Sequence, residues 1–165
     1  MSQVTCYIGM GSNLGDSSAT LGAAFSALKA HPQIHEVCMS SLYQSKPHGP
    51  QDQPDYINAV ACLLTDLDPE PLLDVLQSIE QQYGRVRTGE HWSARTLDLD
   101  LVLFGQQIIQ TERLTVPHPW MTQREFVLYP LLELAPALKL PDGSGLQAHL
   151  DALPDHDLIR LNTSL

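Results

Sequence analysis

The stretch Trp92-Ser93-Ala94-Arg95-Thr96-Leu97-Asp98-Leu99-Asp100-Leu101-Val102-Leu103-Phe104 constrains this chain more than any other. From Leu97 onward, leucines alternate with Asp98, Asp100, Val102 and Phe104. A period of two is that of an extended strand whose side chains point to opposite faces. One face is then all leucine and calls for burial. The other face begins with two carboxylates pointing the same way, their Cβ atoms roughly 6 to 7 Å apart by the strand rise. Like charges on a buried strand need a compensating cation. Magnesium suits such a pair, because it prefers carboxylate oxygens and fills the rest of its shell with water and substrate phosphates. The competing reading is a strand end at which two aspartates are simply solvated, and Asp-x-Asp alone does not decide between them.

The distribution of charge bears on that choice. The chain of 165 residues carries a net charge of −10, which argues against a nucleic-acid binder, since phosphate-backbone affinity needs an electropositive face. Residues 1–84 sum to −7 and residues 125–165 to −4, whereas residues 85–124 sum to +1. Five of the six arginines (Arg85, Arg87, Arg95, Arg113 and Arg124) fall in that middle segment, beside His91 and His118. Arginine grips phosphate bidentately, so the segment suits a small polyphosphate with its metal. Surface ion pairs with the abundant acids are the plainer alternative.

At this length one domain with a sizeable core is expected. No apolar run reaches transmembrane length, and residues 1–11 lack the pattern of a signal peptide, so the cytoplasm is the expected compartment. Cys6, Cys38 and Cys62 have no metal or redox spacing and read as reduced core thiols.

A first strand is expected at Thr5–Met10. Gly9-Met10-Gly11-Ser12-Asn13-Leu14-Gly15-Asp16 is one residue too long for the dinucleotide fingerprint and reads as a tight strand-to-helix turn. Asp16 or Ser17 then caps a helix with Leu21, Phe25 and Leu28 as its core stripe, closed by Pro32. Residues 34–43 read as a second strand, and residues 44–54, with three prolines and a glycine, as a long functional loop. Asp55–Thr65 is the third strand. It sets Tyr56 and Asn58 on one face, an aromatic plane beside a carboxamide, which together suit a flat heterocycle; a core tyrosine beside a satisfied asparagine is the alternative. Asp68-Pro69 opens a second helix with Leu72, Leu76, Ile79 and Tyr83 as its stripe and Glu80 at the margin, ended by Gly84.

Residues 84–95 read as a second long loop. Gly105 then leads to a hairpin strand around Ile108 and Ile109. Thr115–Pro119 forms a rigid connector, Thr122-x-x-Glu125 a capping box, Pro130 a kink or division, and Leu146–Leu153 a last helix. Strands clustered around two helices imply an α+β fold, an antiparallel sheet of the ferredoxin-like type flanked by helices, with an added hairpin and short C-terminal helices.

Four blocks resemble hydroxymethyl-dihydropterin pyrophosphokinase of folate biosynthesis, in the family's order and over essentially the whole chain. They are Gly11–Asp16, Gly49–Ala59, Arg95–Asp100, and Val116–Pro119 with Arg124-x-Phe126. The chain departs from the family at Ser93, where a glycine is most frequent, and at His91, where some members carry arginine. The resemblance implies transfer of the β,γ-diphosphate of ATP to the pterin hydroxymethyl group, leaving AMP. It implies that Asp98 and Asp100 hold two Mg2+ ions and that Arg85 and Arg95 engage the phosphates as a loop closes. Further nucleotide contacts would come from Gln77, Glu80, Arg87, Trp92, Arg113, Thr115, His118 and Arg124. The pterin ring would lie between Tyr56 and Phe126. Asn58 and the backbone of Ser45, Lys46 and His48 would read its polar edge, and Trp92 would seal the site. A monomer without nucleic-acid or membrane partners is expected. Two rival readings are a nucleotidyltransferase, which would release pyrophosphate, and a non-catalytic binding module, which would bind no magnesium-ATP.

Overall fold

In the computed structural model, residues 3–13, 16–46, 55–83, 85–88, 91–95, 97–154, 156 and 158–161 are described, the segments 85–88 and 91–95 by their backbone alone. The elements in chain order are β1 (Val4–Ser12), α1 (Ser17–Ala30), β2 (Ile34–Met39), β3 (Tyr43–Ser45), β4 (Tyr56–Thr65), α2 (Pro69–Tyr83), β5 (Arg85–Thr88), β6 (His91–Arg95), β7 (Asp98–Phe104), β8 (Ile109–Gln110), β9 (Thr115–Val116), a 3-10 turn (Met121–Gln123), α3 (Glu125–Leu134), α4 (Leu146–Asp151) and β10 (Ile159–Arg160). Six strands form one antiparallel sheet in the order β10-β3-β4-β1-β7, with β2 pairing a different stretch of β4. The class is α+β, as the sequence implies.

Helices cover both faces of the sheet. On the first face Ile8, Met10, Ala61, Leu63, Leu99 and Leu101 meet Leu21, Ala24 and Leu28 of α1 and Leu72, Leu76 and Ile79 of α2. On the second face Tyr7, Val60, Val102 and Leu103 pack with Val127, Leu128 and Leu131 of α3 and Leu146 of α4. Alternation in β1, β4 and β7 assigns each residue to its face. The leucine face of β7 holds for Leu97, Leu99 and Leu101 and then breaks. The register with β1 shifts between Tyr7 and Ile8, an extra residue is accommodated on β7, and Leu103 turns to the second face while Phe104 joins the first. A bulge of this kind reverses the facing of every side chain beyond it.

Several expected elements come out differently. The 34–43 strand is two strands, β2 and β3, because the ladder with β4 is interrupted at residues 40–42, where the Ser40 hydroxyl accepts from the Val60 N–H at 3.0 Å. Gly9 and Gly11 lie inside β1 and form no part of a turn. The 84–95 loop is a hairpin, with Arg85 opposite Arg95, Arg87 opposite Trp92 and Thr88 opposite His91. The strand after Gly105 (φ 55°) is Ile109–Gln110, paired with Thr115–Val116, and Ile108 is exposed. Asp16 caps α1 by accepting from the Ala19 N–H at 3.2 Å. Phe25 is half-buried under Lys29, and Ala24 takes its place in the stripe. Tyr83 is exposed. The Thr122/Glu125 capping box does not form: a 3-10 turn covers Met121–Gln123 and Arg124 occupies the N-cap with no side-chain bond. Pro130 sits inside α3, which continues undivided to Leu134. Gly84 lies outside the described residues.

Glu133 ties α3 to the β2–β3 connection. Its Oε2 accepts from the Ser41 backbone N–H at 2.8 Å and the Ser41 hydroxyl at 3.1 Å, and its Oε1 accepts from the Tyr43 hydroxyl at 2.8 Å. Burial pushes this carboxyl up, but the three hydrogen bonds and nearby Arg160 outweigh it and hold it below its ordinary value of 4.5. A carboxyl depressed by folding contributes stability above its unfolded pKa and loses that contribution as pH falls through its folded one. Glu133→Gln is therefore expected to be less stable than the parent near pH 7, with the gap narrowing as the pH is taken below 4.5, measured by urea unfolding across that range. A gap independent of pH would contradict the assigned charge.

Candidate active site

At one end of the second face the sheet carries a cavity of about 220 Å³. Its floor is β1, where Gly9 lies opposite Asp100 of β7 and Gly11 opposite Asp98; Gly11 also faces Asn58 of β4 across the other ladder. Those glycines leave the central strand without side chains where its neighbours carry polar ones. A Cβ on Gly11 would stand 3.3 Å from Asn58 Oδ1 and 3.8 Å from the Tyr56 ring, and one on Gly9 would stand 3.3 Å from Val102 Cγ2. Close approach over a sheet is what glycine permits and any larger residue blocks.

The walls bring together eight of the residues singled out from sequence: Ser45, Lys46, Tyr56, Asn58, Asp98, Asp100, Arg124 and Phe126. Asn58 is 3% exposed and its amide nitrogen donates to Ser45 Oγ at 2.7 Å, which leaves its carbonyl oxygen beside Gly11. Tyr56 is half-buried, and burial together with the charge of Asp98 raises its phenol, keeping it neutral. From α3, Arg124 places its guanidinium 5.7 Å from the centroid of the Phe126 ring, within cation–π range. Asp98 and Asp100 are half-buried and share the cavity face.

Beneath this pair, the outer edge of β7 is held from two sides. Glu80 of α2 is 8% exposed, and its Oε2 accepts from the Leu99 N–H at 2.7 Å. His118 donates its backbone N–H to the Val102 carbonyl at 3.0 Å. Edge strands present unpaired backbone groups, and these contacts satisfy two of them on the strand that carries the carboxylates. The His118 imidazole is lowered by burial, against the opposing pull of Asp100 and with help from Arg124.

Three of the singled-out residues lie away from the cavity. Arg113 pairs with Asp74 and, at 3.5 Å, with Glu70, and also donates to Gln77 Oε1 at 3.3 Å; Thr115 is exposed on β9. Arg85, Arg87, Trp92 and Arg95 belong to the β5–β6 hairpin, which runs directly into Asp98. His48 lies outside the described residues. Among the described residues no group of three or more His, Cys, Asp or Glu gathers to hold a metal. Gly9 and Gly11 are the lining residues whose role escaped the sequence reading, although glycine at a period of two within an apolar strand carried the signal.

The family profile described as 7,8-dihydro-6-hydroxymethylpterin-pyrophosphokinase (HPPK) matches residues 7–136. The chain belongs to this family. It is 50% identical over 159 residues to the 2-amino-4-hydroxy-6-hydroxymethyldihydropteridine pyrophosphokinase of Haemophilus influenzae, covering 96% of this chain and 99% of that one. It is 49% identical to the Pseudomonas aeruginosa protein of the same name, covering 94% and 95%. Among solved structures it is similar to an HPPK-DHPS in complex with substrates (TM-score 0.69, 11% identity, 92% of this chain) and to the wild-type Plasmodium falciparum HPPK-DHPS (TM-score 0.65, 13% identity, 90% of this chain). It spans 43% of each of those two chains, and at that identity the likeness speaks for the fold alone. The pyrophosphokinase transfers the diphosphate of ATP to hydroxymethyl-dihydropterin in folate biosynthesis.

Two substitutions test how the cavity and the strand beside it are built. Glu80→Ala leaves the Leu99 N–H buried and unpaired and is expected to cost about 1 to 3 kcal/mol in urea unfolding, with Glu80→Gln, which keeps an acceptor, recovering most of it. Gly11→Ala adds a methyl to the cavity floor and is expected to weaken pterin binding about tenfold or more by calorimetry. Parent-like pterin affinity in Gly11→Ala would remove the floor from the binding site.

Proposed function

We propose that diphosphate transfer takes place in this cavity, with the acceptor on the β4 side and the phosphates on the β7 side. The observation that carries the reading is that one cavity is lined both by the Asp98–Asp100 pair and by Tyr56, Asn58 and Phe126. The pterin ring lies between Tyr56 and Phe126 over Gly9 and Gly11. The Asn58 carbonyl oxygen accepts from the pterin amino edge, and Ser45, Lys46 and His48 complete the polar rim. In this reading the cavity takes the pterin ring and the phosphates that it accepts. The nucleotide extends beyond it, past Arg124 and toward the β5–β6 hairpin, Gln77, Glu80, Arg113, Thr115 and His118.

The residues present fit two Mg2+ ions. Two carboxylates on one strand face supply hard oxygen ligands and too few of them for an all-protein cage, so phosphate and water oxygens complete the shells. Held by Asp98 and Asp100, the metal would supply neutralisation of phosphate charge at the attacked phosphorus. The chain's own residues do the rest. Tyr56 and Phe126 fix the ring plane, and Asn58 fixes its rotation, so the hydroxymethyl oxygen points at the β-phosphorus. Arg85, Arg87, Arg95 and Arg124 offset the charge spread over the equatorial oxygens, and AMP leaves in line. Closure of segments 44–54 and 84–95 over the nucleotide, with Trp92 sealing the site, would exclude water and suppress hydrolysis of ATP; residues 47–54 lie outside the described residues.

The strand order β3-β4-β1-β7, with α1 and α2 together on one face, supports the ferredoxin-like description.

Incubation with ATP, magnesium and hydroxymethyl-dihydropterin should give AMP and the pterin diphosphate, where a nucleotidyltransferase would give pyrophosphate and a binding module nothing. Asp98→Ala and Asp100→Ala are each expected to lower kcat by about 10³ or more while pterin affinity stays near the parent's, a loss in line with removing charge stabilisation of a transition state. Either variant turning over at the parent rate would sink the metal assignment.

A further inference from the structure

Beyond the cavity, three polar side chains stand in a row across the second face of the sheet. Tyr7 of β1 lies directly opposite Cys62 of β4, and Cys62 lies directly opposite Cys38 of β2. Directly opposed residues point to the same face. The Tyr7 hydroxyl, the Cys62 thiol and the Cys38 thiol stand close enough that each biases the ionisation of Cys62 or is biased by it. The row runs from core to solvent: Tyr7 is buried, Cys62 half-buried and Cys38 exposed. Antiparallel partners have Cα atoms about 4.5 to 5.5 Å apart, inside the range of roughly 4.4 to 6.8 Å that a disulfide spans. Cys6, the third cysteine, is fully buried on the opposite face.

We propose that Cys38 and Cys62 form a dithiol site that a low-molecular-weight disulfide, such as glutathione disulfide, closes into a reversible cross-strand disulfide. The Cys38 thiolate, the accessible one, attacks a sulfur of glutathione disulfide and expels one glutathione. Cys62 then gives up its proton and attacks the Cys38 sulfur of the mixed disulfide, and the second glutathione leaves. Two protein thiols are oxidised and one glutathione disulfide is reduced to two thiols. Burial raises the Cys62 thiol, while the neighbouring Tyr7 hydroxyl pulls the other way. That hydroxyl steadies the sulfur as its proton departs. The ring closed by the bridge runs from residue 38 to residue 62 and contains Ser45, Lys46, Tyr56 and Asn58, so the β3–β4 side of the cavity lies between the two cysteines along the chain.

The test is to incubate the full chain with excess glutathione disulfide, block residual thiols with iodoacetamide, and map peptides by mass spectrometry without reduction. Expected are one free thiol in place of three, a peptide pair joined through Cys38 and Cys62, no retained glutathione, and restoration by dithiothreitol. Cys62→Ser should stop at glutathione held on Cys38, and Cys38→Ser should keep both remaining thiols free. A parent protein that retains glutathione on Cys38, or that keeps all its thiols, would overturn the proposal.

Discussion

The site depends on a shortage of side chains. A sheet covered by helices on both faces has no room for a ligand unless some strand stops contributing bulk, and β1 does so at Gly9 and Gly11. Because β1 lies between β4 and β7, that gap exposes Asn58 and Tyr56 on one side and Asp98 and Asp100 on the other. The same strand fills the core elsewhere: Ile8 and Met10 face α1 and α2, and Tyr7 meets the α3 layer. Strand alternation thus lets β1 fill the first core with its even residues while its odd ones pass from core at Tyr7 to cavity floor at Gly9 and Gly11.

The floor would be of little use if the carboxylate strand could shift. β7 is the last strand of its sheet among the described residues, and its free edge is fastened by Glu80 from α2 and by the backbone of His118. Asp98 and Asp100 stand on one face of that strand, both half-buried. Arg124, which lines the same cavity, is set against the ring of Phe126 two residues on.

Much of this was legible in the sequence because it rests on local periodicity. The leucine–aspartate alternation places Asp98 and Asp100 on one face, the alternation of 55–65 pairs Tyr56 with Asn58, and Asp16 caps its helix as its chemistry dictates. What escaped depends on partners distant in the chain. Gly9 and Gly11 look like a turn until β4 and β7 are set beside them. The bulge at Val102 is a matter of register with Tyr7 and Ile8. The 84–95 segment has the composition of a loop, and only pairing across it makes a hairpin. Glu80 reads as the margin of a helix stripe, whereas its carboxylate meets a backbone N–H nineteen residues on. Cys38 and Cys62 carry no sequence spacing of note and become neighbours only through the β2–β4 register.

The central claim is that metal and polyphosphate gather at Asp98 and Asp100, above Gly9 and Gly11. Paramagnetic broadening tests it most directly: Mn2+ is added in place of magnesium with a non-hydrolysable ATP analogue, and backbone amide signals are followed in a nitrogen–proton correlation spectrum. The account predicts that signals from residues 98–100 and 9–11 vanish first, those of Tyr56 and Asn58 next, and those of α1 on the opposite face persist. Broadening centred on Arg113 and α2, with residues 9–11 left sharp, would contradict it.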